Sequence, residues 1–311
     1  MRRIPRPTAA HYDMIIVGAS NAGLSAALVL GRSRRRVLVL DGGPSRNAPS
    51  FHSHSFFTRD GAAPEELLRI GREQLRPYQV EICADLAREA RVSATGQCEL
   101  TLSSGAEVSA LALILATGVV DELPAVPGLA ELWGRGVYHC PYCHGWETRY
   151  SQVAVYGRGE SAYQQAVHLH HWAPRLTLCT DGPADLAPAQ RKHLAQLGIT
   201  VLETPITTID GTAKCLRAIL FEDGTRQAVD ALFVRPVQRQ RSDLARQLGC
   251  HFTADDVYVD VNDAGQTSVP NVYAVGDMTG PYQQAILAAA SGTRAATFLN
   301  NELILQDCVM A

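Results

Sequence analysis

Two cysteines two residues apart carry the clearest chemistry in this chain: Cys140-Pro141-Tyr142-Cys143, followed at once by His144. Three chemistries suit that spacing. The first is a dithiol–disulfide redox pair, because two intervening residues let both sulfurs lie at a helix N-terminus, where the dipole lowers thiol pKa and yields thiolate near neutral pH. The second is zinc, with His139 and His144 flanking the pair and His168, His170 and His171 further along. One short loop rarely wraps a metal with four ligands, however, and no second C-x-x-C exists. The third is covalent haem, since C-x-x-C-H matches that attachment motif. Haem attachment normally requires export, and the sequence carries no recognisable export signal.

Composition narrows the classes further. Lys and Arg total 28 against 31 Asp and Glu, a net charge of −3, which argues against a dedicated nucleic-acid binder. The hydrophobic share of 46% points to a globular chain with a large core rather than disorder. Of the eight cysteines, only Cys140 and Cys143 are close together. Cys83, Cys98, Cys179, Cys215, Cys250 and Cys308 read as scattered small hydrophobes, so a reduced, cytoplasmic compartment is expected. Met14 to Gly31 is the only stretch long enough to suggest a membrane span. It contains Gly18, Ser20, Asn21 and Gly23, and a strand–turn–helix reading accounts for it better, so no membrane partner is expected.

The elements that must position the cysteines follow from hydrophobic patterning. Asp13 to Val17 reads as a strand, Gly18 to Gly23 as a turn, Leu24 to Gly31 as a helix and Arg36 to Asp41 as a second strand, a βαβ unit. Gly42 to Ser55 is turn-rich, with Pro44 and Pro49, and Pro64 to Leu75 is helical. Glu99 to Leu102 and Glu107 to Ala110 form a hairpin, and Leu111 to Ala116 a strand buried on both faces. Asp121 to Gly128, with Pro124 and Pro127, is a plausible hinge. The pattern then restarts: strand Gln152 to Tyr156, Gly turn, helix Tyr163 to His171, strand Arg175 to Cys179. A last strand, Asn271 to Val275, precedes Gly276-Asp277 and a small-residue helix from Gln283 to Asn300. The expected fold is α/β, with two Rossmann-like three-layer nucleotide-binding domains, the second inserted in the first: 1–119 with 242–311, and 120–241.

The first turn, Gly18-Ala19-Ser20-Asn21-Ala22-Gly23, meets the needs of a dinucleotide site: a tight turn, close backbone approach to a pyrophosphate, and helix N-terminal amides to hold it. Ser20 replaces the usual middle glycine. Asp41 falls 18 residues after Gly23, where a carboxylate binds a ribose hydroxyl. A generic tight turn and a hydrolase nucleophile elbow are the competing readings, and Ala22 stands where the elbow wants glycine. The second turn, Gly157-Arg158-Gly159-Glu160-Ser161-Ala162, supports the fold more than a ligand. Its strand ends in Cys179-Thr180-Asp181-Gly182, with no arginine pair for a 2′-phosphate, and Asp181 would repel one. Asp277 is either a flavin polyol ligand or a helix cap. His52 and His54 could line a flavin pocket or simply pack a loop. The run Arg32-Ser33-Arg34-Arg35-Arg36 is a solvated helix end or a dock for an acidic protein.

Taken in order, these motifs resemble the low-molecular-weight thioredoxin reductase family of flavoproteins, from Asp13 to about Leu303. The most specific parts are Gly134-Arg135-Gly136-Val137 leading into the cysteines, Ala116-Thr117-Gly118, Val275-Gly276-Asp277 and Tyr282-Gln283-Gln284-Ala285-Ile286. The resemblance implies FAD in the outer domain, a redox-active pair in the inserted one, a homodimer, and thioredoxin or a similar dithiol protein as partner. Carried over, Gly18, Ser20, Ala22, Gly23, Asp41, Asn47, His54, Thr117, Gly118, Gly276, Asp277, Gln284 and Ala285 hold FAD. Cys143 lies nearer the flavin, Cys140 is the interchange thiol, and His144 moves the proton. His144 stands where the family usually has Asp, with a pKa nearer neutral. The string Cys140 to Glu147 is similar to a branch of dithiol oxidases. The missing arginine signature near Thr180 is similar to ferredoxin-dependent flavin thioredoxin reductases, so ferredoxin is the expected donor.

Overall fold

The computed structural model describes residues 7–212 and 215–309. By internal contacts they form two compact units: one from the described residues up to Ala48, Phe56–Val120 and Gln238 onward, the other from Pro49–Ser55 and Asp121–Val237.

The first unit is built on a seven-stranded sheet. Strands Val80–Cys83, Val37–Leu40, His11–Val17 and Glu107–Leu115 lie side by side and parallel, and Val272–Ala274 adds parallel to the last of them. Ala87–Val92 and Cys98–Leu102 continue the sheet antiparallel from Glu107–Leu115. The alternation of side chains divides the core. Met14 and Ile16 pack with Leu24, Leu30 and Leu299 of the helices Asn21–Arg32 and Ala285–Val309, while Ile15 and Val17 pack with Leu100, Leu102 and Met278 on the opposite face. Fully burying a side chain of this size contributes about 1.5–3 kcal/mol, which fixes the strand register. The sequence suggests two strands over Glu107–Ala116; they are one. Its first half pairs with Cys98–Leu102 and its second half with Val272–Ala274, so one edge of a single long strand serves two neighbours while the other pairs with His11–Val17.

The second unit carries a five-stranded parallel sheet in the order Thr200–Leu202, Leu176–Cys179, Val153–Tyr156, Ala231–Val234, Val137–Tyr138. Val153 and Val155 face Leu169, Leu178 and Leu194, while Ala154 faces Leu132, Ile209 and Ile219. A three-stranded antiparallel sheet, Ile206–Thr212, Cys215–Phe221 and Arg226–Ala228, accompanies it. Pro49–Ser55 groups with this unit, whereas the sequence division leaves it with the first. Arg135 donates to the carbonyl of Pro49 at 3.1 Å and lies over the Phe51 ring at 5.2 Å, and those contacts hold the segment. No helix among the described residues is long and apolar enough to cross a membrane.

Candidate functional site

In the first unit, the expected cofactor residues gather at the carboxyl ends of the parallel strands, where open α/β sheets bind ligands. Gly18 follows His11–Val17 with φ +118°, and a side chain there would run into the backbone carbonyl of Ala116. This close approach brings the first turn against the end of Glu107–Leu115. Ser20 precedes the helix Asn21–Arg32 in extended conformation and its side chain makes no cap hydrogen bond, which suits a helix start that receives an anion. Gly276 lies beside Ala22, and its N–H donates to Ser291 Oγ at 2.9 Å. Thr117 Oγ1 lies 3.5 Å from the sulfur of Met278, and the carbonyl of Gly118 accepts from the Arg241 N–H at 3.1 Å. Asn47 accepts from Ser45 Oγ at 2.9 Å. Gln284 and Ala285 open the long helix, with the Gln284 carbonyl accepting from Ala288 at 2.9 Å.

The two acids expected at the cofactor, Asp41 and Asp277, are paired. Asp41 Oδ2 lies 2.9 Å from Arg72 Nη2, and Asp277 Oδ2 lies 2.9 Å from Arg46 Nη1. Neither arginine stood out in the sequence, because each sits in a polar stretch far along the chain from its acid. The tight turn, the uncapped helix start and the two strand-end acids fit FAD.

The basic run stays largely at the surface, with Arg32, Arg34 and Arg36 exposed and Arg35 half-buried, while its side chains touch their own unit. Arg32 donates to the Tyr78 hydroxyl, Arg35 to Asn300 Oδ1, and Arg36 lies over the Tyr12 ring.

In the second unit, the short strand Val137–Tyr138 at the sheet edge delivers the chain to Cys140. Pro141 starts a helix, with its φ already suited to the first helical position, and the N–H groups of Cys143 and His144 both donate to the Cys140 carbonyl at 3.2 and 3.3 Å. Cys140 and Cys143 are joined by a disulfide, their Cα atoms 5.3 Å apart. The helix is one turn, Pro141–His144, with Cys140 at its N-cap, so the dipole expected to favour the thiolate is that of a single turn.

His144 differs from expectation in charge. Burial, reinforced by His139, His54 and His52, draws its pKa down to about 4, so the imidazole is neutral at pH 7 and, once protonated, gives the proton up readily. Its Nδ1 is buried without a hydrogen-bond partner. His54, expected beside the flavin, belongs to the second unit, its Nε2 3.5 Å from Glu147 Oε1. Tyr142, Trp146 and Tyr150 leave large exposed rings close to the disulfide in sequence, with the Arg149 guanidinium over the last two at 4.0 and 4.7 Å. The buried thiols Cys98 and Cys179 are unsuited to this chemistry. Burial pushes Cys98 up to about 11 and Cys179 up to about 12. Among the described residues, no group of three or more His, Cys, Asp or Glu side chains is arranged to hold a metal.

The second glycine turn is filled by its own residues. Its helix runs Gly159–His170, starting earlier than the sequence suggests. The Gly159 N–H donates to the Ala184 carbonyl at 2.9 Å, and the first-turn Glu160 accepts from Gln164 and Gln190. Arg158 donates to the Thr180 carbonyl at 2.7 Å and lies so close over Gly182 that a Cβ there would be 2.8 Å from its guanidinium. Asp181 is held by the Ile206 N–H at 2.7 Å and the Tyr156 hydroxyl at 3.2 Å.

Comparison with known proteins agrees with this geometry. Residues 12–292 match the family described as pyridine nucleotide-disulphide oxidoreductase. Thioredoxin reductase sirT of Leptosphaeria maculans is 32% identical over 312 residues, covering 95% of each chain. Thioredoxin reductase of Mycolicibacterium smegmatis is 30% identical over 311 residues, covering 95% of this chain and 98% of its own. Among solved structures, HlmI superposes with a TM-score of 0.93 at 33% identity, covering 98% of this chain and 96% of that one.

Proposed function

Because the chain belongs to the pyridine nucleotide-disulphide oxidoreductase family, and is an FAD-dependent disulfide oxidoreductase of thioredoxin reductase type, we propose that Cys140 and Cys143 are its redox pair and that its electron donor is reduced ferredoxin rather than NADPH. The observation that carries the first part is the Cys140–Cys143 disulfide beside an unpartnered, neutral His144. The two-unit arrangement is read as an FAD domain interrupted by a central domain that presents the pair.

Gly18, Ala22, Gly23, Asp41, Gly276 and Asp277 hold FAD, which when bound supplies the two-electron chemistry that returns the disulfide to a dithiol. The reduced pair then works by thiol–disulfide exchange. Cys140 Sγ, as thiolate, attacks one sulfur of the partner's disulfide. A mixed disulfide forms, and the partner's other sulfur leaves as a thiolate that takes up a proton. As Cys143 Sγ attacks Cys140 Sγ, its thiol proton passes through His144 Nδ1 to the partner's second departing sulfur, the imidazole ending neutral as it began. The partner departs with two electrons and two protons gained, and the Cys140–Cys143 bond is remade. The exposed rings of Tyr142, Trp146 and Tyr150 suit docking of a thioredoxin-like dithiol protein. A homodimer in a reducing cytoplasm completes this reading, which follows from the resemblance and the scattered thiols.

The donor assignment is supported by the second glycine turn. Arg158 covers Gly182, Asp181 is tied to its own unit, and Glu160 adds negative charge in the helical turn that a diphosphate would need. Anaerobic mixing tests it: reduced ferredoxin should bleach the flavin rapidly and NADPH slowly or not at all. Rapid bleaching by NADPH would make this an NADPH-dependent reductase. A second reading rests on the Cys140–Glu147 string and the exposed rings: oxidation of a small dithiol with dioxygen as acceptor. Catalytic oxygen consumption on adding such a dithiol would favour it.

A further inference from the structure

The cofactor is a diphosphate ester, so its seat must accept two negative charges. Yet the first unit places the carboxylates of Asp41 and Asp277 at that seat. Left unpaired, both would repel the ligand they are there to hold. Each instead faces a guanidinium at 2.9 Å. The two pairs differ in setting. Arg72 lies on the helix Pro64–Leu75 with its side chain 38% exposed, whereas Arg46 is 15% exposed and its carboxylate partner 23%. Screening by water weakens the first pair more than the second.

Arg46 is also part of a network. Its Nη1 donates to Gln283 Oε1 at 2.6 Å as well as to Asp277. Gln283 Nε2 in turn lies within hydrogen-bond distance of the carbonyls of Asp277 and Gly280, at 3.3 and 3.0 Å, and of Gln238 Oε1 at 2.9 Å. Gln238 Oε1 accepts from the Tyr258 hydroxyl at 2.8 Å. Arg46 thus grips the Asp277 carboxylate directly, while Gln283 binds the backbone of the same residue. Arg46 itself lies five positions after Asp41, so the segment leaving one cofactor acid supplies the cation for the other.

Resting on the reading that FAD occupies this unit, we propose that Arg46 is the positioning residue of the cofactor seat: it fixes the Asp277 carboxylate and cancels its charge so that a dinucleotide diphosphate can be accepted.

The test is FAD affinity of the full-length apoprotein, read by flavin fluorescence, together with the apoprotein melting temperature. Arg46→Met should weaken FAD by about 10-fold or more, the loss expected when a charge-assisted hydrogen bond to a partly buried carboxylate is broken. The decisive arm sets charge against size: Arg46→Lys, which keeps the cation, should bind FAD more tightly than Arg46→Met, which keeps only the length, with the two apoproteins melting alike. An Arg46→Met variant within twofold of the parent, or an Arg46→Lys variant no tighter than Arg46→Met, overturns the proposal. Failure of the parent protein to bind FAD overturns instead the reading on which it rests.

Discussion

The imidazole of His144 lies flat on the phenol of Tyr138, ring centroids 4.0 Å apart and planes 15° from parallel. That cover is part of the burial that draws the His144 pKa from 6.5 to about 4. The unfolded chain binds a proton at His144 through this window while the folded chain does not. The stability His144 contributes is therefore complete above about 6.5 and falls as pH drops toward about 4. Chemical denaturation near neutral pH and at about pH 5 checks this. The parent should lose more stability on acidification than His144→Asn; equal losses would contradict it.

Cys140 caps the single helical turn and Cys143 sits inside it. With Cys140 as the interchange thiol, Cys143→Ser should trap a thioredoxin-like partner as a mixed disulfide, seen on a non-reducing gel. Cys140→Ser should trap none. The reverse pattern would exchange the two roles.

Gly18 has φ +118° and faces the Ala116 carbonyl. Gly18→Ala should place a methyl group against that carbonyl and strain the turn by about 1–3 kcal/mol. The expected outcome is a lower melting temperature and purified protein depleted of flavin colour. A fully yellow, equally stable variant would contradict the placement of the cofactor turn.

Thiol labelling should follow exposure. Cys215 and Cys308 are exposed, and the Cys215 thiol is drawn down by the Thr212 hydroxyl at 3.3 Å. Iodoacetamide should modify them in the native oxidised protein, read by mass spectrometry. Cys98, Cys179 and Cys250 are buried with raised pKa and should react only after unfolding. Native labelling of Cys98 or Cys179 at a similar rate would contradict the core packing.

Much of the fold was legible because it is written in local pattern. Continuous apolar runs such as Met14–Val17 and Leu113–Leu115 are buried strands, and positive-φ glycines end them. The cofactor turn, Asp41, Asp277 and the cysteine pair were visible for the same reason. Arg46 and Arg158 were not. An arginine in a polar loop carries no periodicity, and Arg46 meets its acid 231 positions away. The grouping of Pro49–Ser55 with the second unit was equally hidden, since it depends on Arg135 reaching back to Pro49. His144 could be named from its place beside Cys143, but its charge state follows from burial that only the folded chain supplies.

The central claim is that Cys140 and Cys143 exchange electrons with the flavin. Anaerobic addition of a small dithiol to the FAD-loaded protein, followed by visible absorbance, tests it most directly. The parent flavin should bleach, and the flavin of the Cys140→Ser/Cys143→Ser variant, equally loaded, should stay yellow. Equal bleaching in both would contradict the account.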